Sequence, residues 1–184
     1  KTTALPSLLF LQINDKPITN SSLHLNINTM SKIAVFPGSF DPITVGHVDI
    51  VKRALPLFDK IIIAIGVNSQ KQSLYTLEQR KEWIQRVFKG EKKIVVDSYS
   101  GLTINYCNEK KANYILRGIR SSADFEYEKT IAHLNTAMFP NVETILILSS
   151  AELSSISSTI VREIIRGKGK INKFVPKEIV KDLK

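Results

Sequence analysis

The sequence predicts an α/β domain built around a parallel β-sheet, and three observations support this prediction. Short apolar runs rich in β-branched residues alternate with segments in which apolar residues recur at helical spacing. The apolar runs are continuous, which is typical of strands that are buried on both faces of a parallel sheet. The length of 184 residues suits one domain with a sizeable core.

Five strands are predicted along the chain. Strands that alternate with helices are joined by right-handed crossovers, which place the helices on both faces of the sheet. The sequence therefore predicts a Rossmann-like, doubly wound five-stranded parallel sheet flanked by helices. The predicted strands are residues 32–36, 60–66, 93–98, 113–118 and 142–149.

Each predicted helix is defined by apolar residues at helical spacing. Pro56 falls inside the first helix, which a proline shortens or kinks. Thr76 and Gln79 form a capping-box pattern at the start of the second helix. Cys107 is the single cysteine, so no intrachain disulfide is possible. It lies on the predicted buried side of another helix. The defining apolar residues are Val48, Val51, Leu55 and Phe58; Leu77, Ile84, Val87 and Phe88; Phe125, Ile131, Leu134 and Met138; and Ile160, Ile164 and Ile165.

The first 29 residues differ from the rest of the chain. They are rich in Asn, Ser and Thr and show no sustained hydrophobic period, and "MSKIAVF" from Met30 resembles a natural start. We therefore predict that residues 1–29 are a poorly ordered extension and that residues 30–184 form the domain. An added edge strand from the alternating run "SLHLNIN" is the other interpretation.

The formal net charge of +9 favours anionic ligands, which include nucleic acid, membrane surfaces and small phosphorylated molecules. The lysines are dispersed and the sequence contains no recognised nucleic-acid-binding motif, which argues against nucleic acid. No run approaches the roughly 20 apolar residues that span a bilayer. We therefore expect a cytoplasmic protein with neither a nucleic-acid nor a membrane partner.

Ligands of such sheets bind beyond the carboxyl ends of the strands, so the segments after the strands are the candidate site. The first of these segments is "PGSFDPITVGH". Gly38 and Gly46 permit a close approach of backbone to ligand, and the amides of the next helix favour an anion. His47 would then lie at a helix N-terminus and face the ligand. The alternative is a capped helix with a surface histidine.

Two arginines flank Gly118 at the end of the fourth predicted strand. Placing the guanidinium groups of Arg117 and Arg120 there costs free energy unless an anion pairs with them. The alternative is ion pairing with the acidic residues that follow in the chain, which are Asp124, Glu126 and Glu128.

Further polar residues follow the second and fifth strands. Lys71 lies in a polar loop and is weak evidence by itself. Ser157, Ser158 and Thr159 stand at a helix start, and capping requires only one of these hydroxyls, so the cluster suits polyphosphate oxygens. No dinucleotide-binding glycine motif follows the first strand, and "GKGK" at 167–170 lacks the P-loop spacing.

Several of these segments together resemble one enzyme family. "TVGH" at 44–47 fits the T/H-x-G-H signature of the nucleotidylyltransferase superfamily. The longer "FPGSFDPITVGHVDIVKRA" closely resembles phosphopantetheine adenylyltransferases. The likeness continues, in the family's order, through "YTLEQR", "ILRGIRSSADFEYE", "AHLN" and "SSISSTIVREI" and covers roughly residues 31–183.

The resemblance implies that ATP and 4′-phosphopantetheine give dephospho-coenzyme A and pyrophosphate, with Mg²⁺, in coenzyme A biosynthesis. It implies direct attack of the acceptor phosphate on the α-phosphorus and a homohexamer. We expect no metal ligand from the protein itself, because His24 and His133 do not pair at metal-ligand spacing with carboxylates or with each other. The candidate residues agree with a direct attack, because the chain offers hydrogen-bond donors and cations around phosphate but no nucleophile held beside a base. Catalysis would then rest on positioning and charge stabilisation.

The resemblance also assigns roles to individual residues. His47 matches the histidine that stabilises the transition state, and Leu153 and Ser155 stand where relatives commonly carry an aromatic residue and Phe. The matched acceptor-binding residues are Ser39, Lys71, Thr103 and Arg117. The matched ATP-binding residues are Ser39, Phe40, His47, Gly118, Ile119, Arg120, Glu128, Leu153, Ser154, Ser155, Ile156, Ser157, Ser158 and Thr159.

Two other functions stay open at this point. One is a nucleotidylyltransferase of the same superfamily that acts on nicotinamide mononucleotide or a polyol phosphate, against which Lys71, Arg117 and "ADFEYE" argue. The other is a basic nucleic-acid-binding protein, for which the net charge is the only support.

Overall fold

The computed structural model describes residues 31–67 and 72–183. Its strands are β1 (Ile33–Gly38), β2 (Lys60–Val67), β3 (Ile94–Ser100), β4 (Tyr114–Ile119) and β5 (Glu143–Leu148). All neighbouring strands are parallel and follow the order β3-β2-β1-β4-β5, which confirms the predicted fold class. The predictions for residues 1–29 and for Lys71 concern positions outside the described residues.

The helices follow the predicted pattern. They are α1 (Val45–Ala54), α2 (Leu77–Val87), α3 (Thr103–Glu109), α4 (Ser122–Met138) and α5 (Ser158–Arg166), with 3₁₀ turns at Leu55–Leu57, Ala151–Leu153 and Val180–Leu183. Helix α1 ends before Pro56, which lies in the first 3₁₀ turn, so the predicted shortening is confirmed. Thr76 and Gln79 form the predicted capping box at α2.

The core lies on both faces of the sheet, because successive side chains of the central strands are buried on opposite sides. In β1, Ala34 and Phe36 pack with α1, α2 and α5, whereas Val35 packs with α3 on the other face. Fully burying a side chain of this size contributes about 1.5–3 kcal/mol, so the continuous apolar runs account for much of the driving force. Cys107 belongs to the α3 side and is fully buried as predicted. Burial raises the pKa of its thiol to about 12.

Helix α4 differs from the other helices in where its apolar residues point. The predicted helix is present, yet Leu134 is 56% exposed and Met138 47% exposed. Tyr127 lies two turns before Leu134, on the same side of the helix, and is 66% exposed. The apolar spacing therefore marks an outer surface of the chain rather than a core face.

The strand order places a topological switch point between β1 and β4. From β1 the chain proceeds through α1 to β2 on one side, whereas β4 lies on the other side. The segments that leave the carboxyl ends of β1 and β4 therefore diverge and open a crevice between them. In the part of the chain that the structure describes, no helix combines the length and apolar character needed to cross a bilayer.

Candidate active site

A first cavity of about 240 Å³ opens at this switch point. It brings together many of the residues predicted from the sequence, drawn from β1, α1, β4, α4 and the start of α5. The predicted residues that line it are Gly38, Gly46, His47, Arg117, Gly118, Arg120, Glu128, Leu153, Ile156, Ser157 and Ser158. Ile119, Ser154, Ser155 and Thr159 do not line it, and Ser155 is exposed.

His47 is the third residue of α1, and the backbone around the helix start orients its ring. Thr44 is the N-cap, and its backbone N–H donates to His47 Nδ1 at 3.0 Å. A neutral imidazole that accepts at Nδ1 carries its hydrogen on Nε2. The capping box therefore selects the tautomer in which Nε2 is the donor.

The surroundings of His47 keep this ring neutral. Burial, and then the positive charges of Arg117 and Arg120, lower the pKa of His47 to about 4. The ring of Phe40 packs edge-on against the imidazole, with centroids 5.1 Å apart. At neutral pH the side chain can therefore donate a hydrogen bond to an anion but carries no charge of its own.

Phe40 supports the site from inside the core. Its side chain is 1% exposed, and its φ of 46° lies in the left-handed region. A Cβ at Gly38 would lie 2.9 Å from Phe40 Cζ, so glycine at that position makes room for the ring. Phe40 is packed in the core and does not line the first cavity.

The two arginines are paired with acidic residues of α4, as the alternative interpretation expected. Arg117 donates to both carboxylate oxygens of Glu128, with Nε 2.8 Å from Oε2, and Nη1 donates to the Pro37 carbonyl at 2.8 Å. Arg120 donates to Asp124, with Nε 3.0 Å from Oδ2. A guanidinium has five N–H donors, so Arg117 keeps two of them for a ligand.

The hydroxyls at the start of α5 also have protein partners. Ser157 caps the helix by accepting from the Ile160 N–H, and Ser158 Oγ donates to the Pro42 carbonyl at 2.8 Å. Thr159 Oγ1 accepts from Arg162, whose Nη1 donates to the Asp41 carbonyl at 2.7 Å. The hydroxyl cluster therefore fastens α5 to the loop before α1, while Ser157 and Ser158 still face the first cavity.

The sequence analysis did not identify Asp41 and Arg80, two residues that support the loop before α1. The buried carboxylate of Asp41 accepts from the backbone N–H groups of Leu74 and Tyr75, at 2.8 and 3.0 Å. Arg80 Nη1 donates to the Ser39 carbonyl at 2.8 Å. No sequence signal could have found these contacts, because their partners are more than thirty positions apart. The spacing of Thr44 and His47, in contrast, is that of a capping box and could have been recognised.

A second cavity of about 270 Å³ adjoins the first. Arg117 and Glu128 line both cavities, so the ion pair lies between them. The second cavity brings together the predicted acceptor residues Ser39, Thr103 and Arg117. Its remaining lining is Pro37, Gly38, Gly66, Tyr99, Ile115, Tyr127, Ile131, Ala132, Asn135 and Thr144.

Comparisons with known proteins find similarity over most of this chain. A family model described as cytidylyltransferase-like matches residues 35–164. The phosphopantetheine adenylyltransferase of Flavobacterium johnsoniae is 52% identical over 143 residues, which cover 78% of this chain and 93% of that protein. The phosphopantetheine adenylyltransferase of Flavobacterium psychrophilum is 53% identical over 146 residues, which cover 79% of this chain and 96% of that protein.

A solved structure shares the fold at much lower identity. It is a bifunctional NMN adenylyltransferase/ADP ribose pyrophosphatase from Francisella tularensis, with a TM-score of 0.66 and 18% identity, covering 84% of this chain and 49% of that chain. This likeness shows the fold alone. The identity to curated relatives over nearly their whole length shows that this chain belongs to the phosphopantetheine adenylyltransferase family.

Proposed function

We propose that this chain transfers the adenylyl group of ATP to 4′-phosphopantetheine and produces dephospho-coenzyme A and pyrophosphate in coenzyme A biosynthesis. The observation that carries the proposal is the meeting of two cavities at Arg117. A nucleotide in the first cavity and an acceptor in the second would lie side by side, with the acceptor phosphate at the junction. Such positioning allows direct in-line transfer without a covalent enzyme intermediate.

The first cavity suits the triphosphate of ATP. The N-termini of α1 and α5 both reach it, and their free N–H groups and dipoles favour phosphate. Arg120 adds a guanidinium at its edge. The Nε2 hydrogen of His47 would bond an α-phosphate oxygen, and this bond strengthens as negative charge grows on that oxygen in the transition state.

The second cavity suits the acceptor. The two free N–H groups of Arg117 offer a charge-assisted contact to the acceptor phosphate, and Glu128 and the Pro37 carbonyl fix the guanidinium. Lys71 and Thr103 are assigned to the same substrate on the family resemblance. The apolar side chains of Ile115 and Ile131 would pack along the pantetheine chain.

Mg²⁺ fits this proposal as a companion of the nucleotide. It usually keeps several waters and binds substrate phosphates rather than a complete cage of protein ligands. Across residues 31–67 and 72–183, no three His, Cys, Asp or Glu side chains are grouped as candidate ligands. Asp124 and Glu128 at the first cavity are each bound to an arginine. When bound with ATP, the ion would neutralise charge on the triphosphate.

The family resemblance also proposes a homohexamer. Ile131, Leu134 and Met138 lie on one side of α4 and are exposed, which supports assembly because grouped apolar side chains on a surface are typical of an interface. Light scattering of the purified protein at several concentrations tests the assembly state, and a monomer throughout would contradict it. We propose a cytoplasmic location, where ATP is available for biosynthesis.

Pyrophosphate release with ATP and a panel of acceptors tests the function. We expect turnover with 4′-phosphopantetheine and at most a background rate with nicotinamide mononucleotide or glycerol phosphate. Preferred use of either of the last two would favour another member of the superfamily. We expect no salt-dependent binding to duplex DNA in a titration of the same preparation.

A further inference from the structure

Two hydroxyl groups meet at the wall of the second cavity. Tyr99 Oη lies 2.6 Å from Thr103 Oγ1, and both residues line the cavity. Tyr99 of β3 is in register with Gly66 of β2, and a Cβ at Gly66 would lie 3.4 Å from Tyr99 Oη. The register with β2 therefore places the phenol oxygen beside Gly66 at the wall of the second cavity.

The ring of Tyr99 is held in place by a neighbouring tyrosine. It stacks on Tyr106, with ring centroids 4.7 Å apart and planes 23° from parallel. Tyr106 Oη donates to Asp97 Oδ2 at 2.8 Å, and Lys110 Nζ lies 2.8 Å from the same oxygen. The stacked pair is thus anchored by an ion pair, which keeps Tyr99 beside Thr103.

The chemistry of the two hydroxyls decides which of them donates. A phenol is more acidic than an aliphatic alcohol, so the Tyr99 hydroxyl is the better donor and Thr103 Oγ1 accepts. The hydrogen of Thr103 then remains for another acceptor. A carbonyl oxygen of a ligand in the second cavity would satisfy it.

We propose that Tyr99 determines acceptor specificity by holding the Thr103 hydroxyl as a donor for an amide carbonyl in the acceptor chain. This inference rests on the proposed function, because the amides of phosphopantetheine supply that carbonyl. Tyr99 acts through Thr103, so it favours acceptors with an amide over chains of equal length that are purely alkyl. The phosphate end of the acceptor is unaffected by this contact.

The test compares an amide-bearing with an amide-free acceptor chain. Steady-state pyrophosphate release gives KM for 4′-phosphopantetheine and for ATP, and an n-alkyl phosphate of similar length serves as a competitor whose inhibition constant is measured. In Tyr99→Phe we expect KM for phosphopantetheine to rise about three- to tenfold, the value of one neutral hydrogen bond. KM for ATP and the inhibition constant of the alkyl phosphate should stay at wild-type values.

The control and the double variant separate this role from general packing. Tyr114→Phe makes the same chemical change at the opposite end of the sheet, where Tyr114 packs on Phe58, and should leave all three constants unchanged. Thr103→Val should match Tyr99→Phe, and the double variant should be no worse than either single variant.

The possible outcomes separate a failure of the specificity role from a failure of the proposed function. Unchanged KM for phosphopantetheine in Tyr99→Phe, an equal rise in the alkyl phosphate constant, or multiplicative effects in the double variant would overturn the specificity role alone. Absence of turnover with phosphopantetheine in the wild-type protein would overturn the proposed function and this inference together.

Discussion

The backbone N–H of Thr44 donates to His47 Nδ1 at 3.0 Å, so the contact that caps α1 also orients the ring at the first cavity. One side chain therefore serves a helix terminus and a candidate catalytic donor. A change at position 47 acts on both the stability and the chemistry of the protein. The two effects have to be measured separately.

The ligand-free protein should keep His47 neutral across the physiological range. The pKa of His47 is lowered from 6.5 to about 4, so its ring signals should not titrate between pH 5.5 and 8. Long-range ¹H–¹⁵N spectra should show the hydrogen on Nε2. The signal is assigned by its loss in His47→Asn and its persistence in His133→Ala, which removes an exposed histidine of α4.

The same shift has a consequence for stability. The imidazole of His47 binds its second proton less tightly in the folded state than in the unfolded chain. The contribution of neutral His47 to the free energy of unfolding is therefore complete above about pH 6.5. It is lost as the pH falls from there through about 4. A His47 signal with a midpoint near 6.5 in the folded protein would contradict both statements.

Much of the fold could be predicted because local signals suffice for it. The continuous apolar runs at β1 and β2 indicate burial on both faces, and Pro56 and the Thr76–Gln79 box mark helix ends without reference to the rest of the chain. The outward-facing residues of α4 could not be separated from core residues in this way. A helical apolar stripe has the same spacing whether it faces a core or an exposed surface.

The substrate subsites should respond separately to loss of a cation. We expect Arg120→Ala to raise KM for ATP and Lys71→Ala to raise KM for phosphopantetheine, each by about ten- to a hundredfold, since a charge-assisted contact contributes about 1.5–3 kcal/mol. Arg166→Ala, which removes an exposed arginine paired with Glu163, is the matched control and should change neither constant. Equal effects of Arg120→Ala and Lys71→Ala on both substrates would show that the subsites are not separate.

Thr144→Val should stabilise the protein. Thr144 Oγ1 is buried and is without a hydrogen-bond partner among the described residues, so the hydroxyl incurs a desolvation cost that an isosteric methyl avoids. We expect the free energy of unfolding in urea to increase by about 1 kcal/mol. Thr130→Val is the control. The Oγ1 of Thr130 donates to the Glu126 carbonyl on exposed α4, so removing it should not increase the free energy of unfolding. Destabilisation by Thr144→Val would show that the hydroxyl is satisfied in solution.

The site was less predictable than the fold, because its contacts join distant parts of the chain. Sequence alone left Arg117 with two interpretations, an anionic ligand or a carboxylate of α4. The structure pairs it with Glu128, eleven residues away on another element, and still exposes its outer edge to both cavities. The hydroxyls of Ser158 and Thr159 likewise suited phosphate by composition, but they have partners in the loop before α1 and in Arg162.

The rate of His47→Asn tests the central claim, that the Nε2 hydrogen of His47 stabilises the transition state, most directly. Asparagine can still accept from the Thr44 N–H but lacks a donor at the Nε2 position, so the helix cap is retained while the donor is removed. We predict that kcat falls about 10²- to 10³-fold, with ATP binding by calorimetry and the unfolding temperature close to wild type. His133→Ala, an exposed histidine of α4, is the control and should turn over normally. A kcat for His47→Asn within a few-fold of wild type would remove His47 from the mechanism.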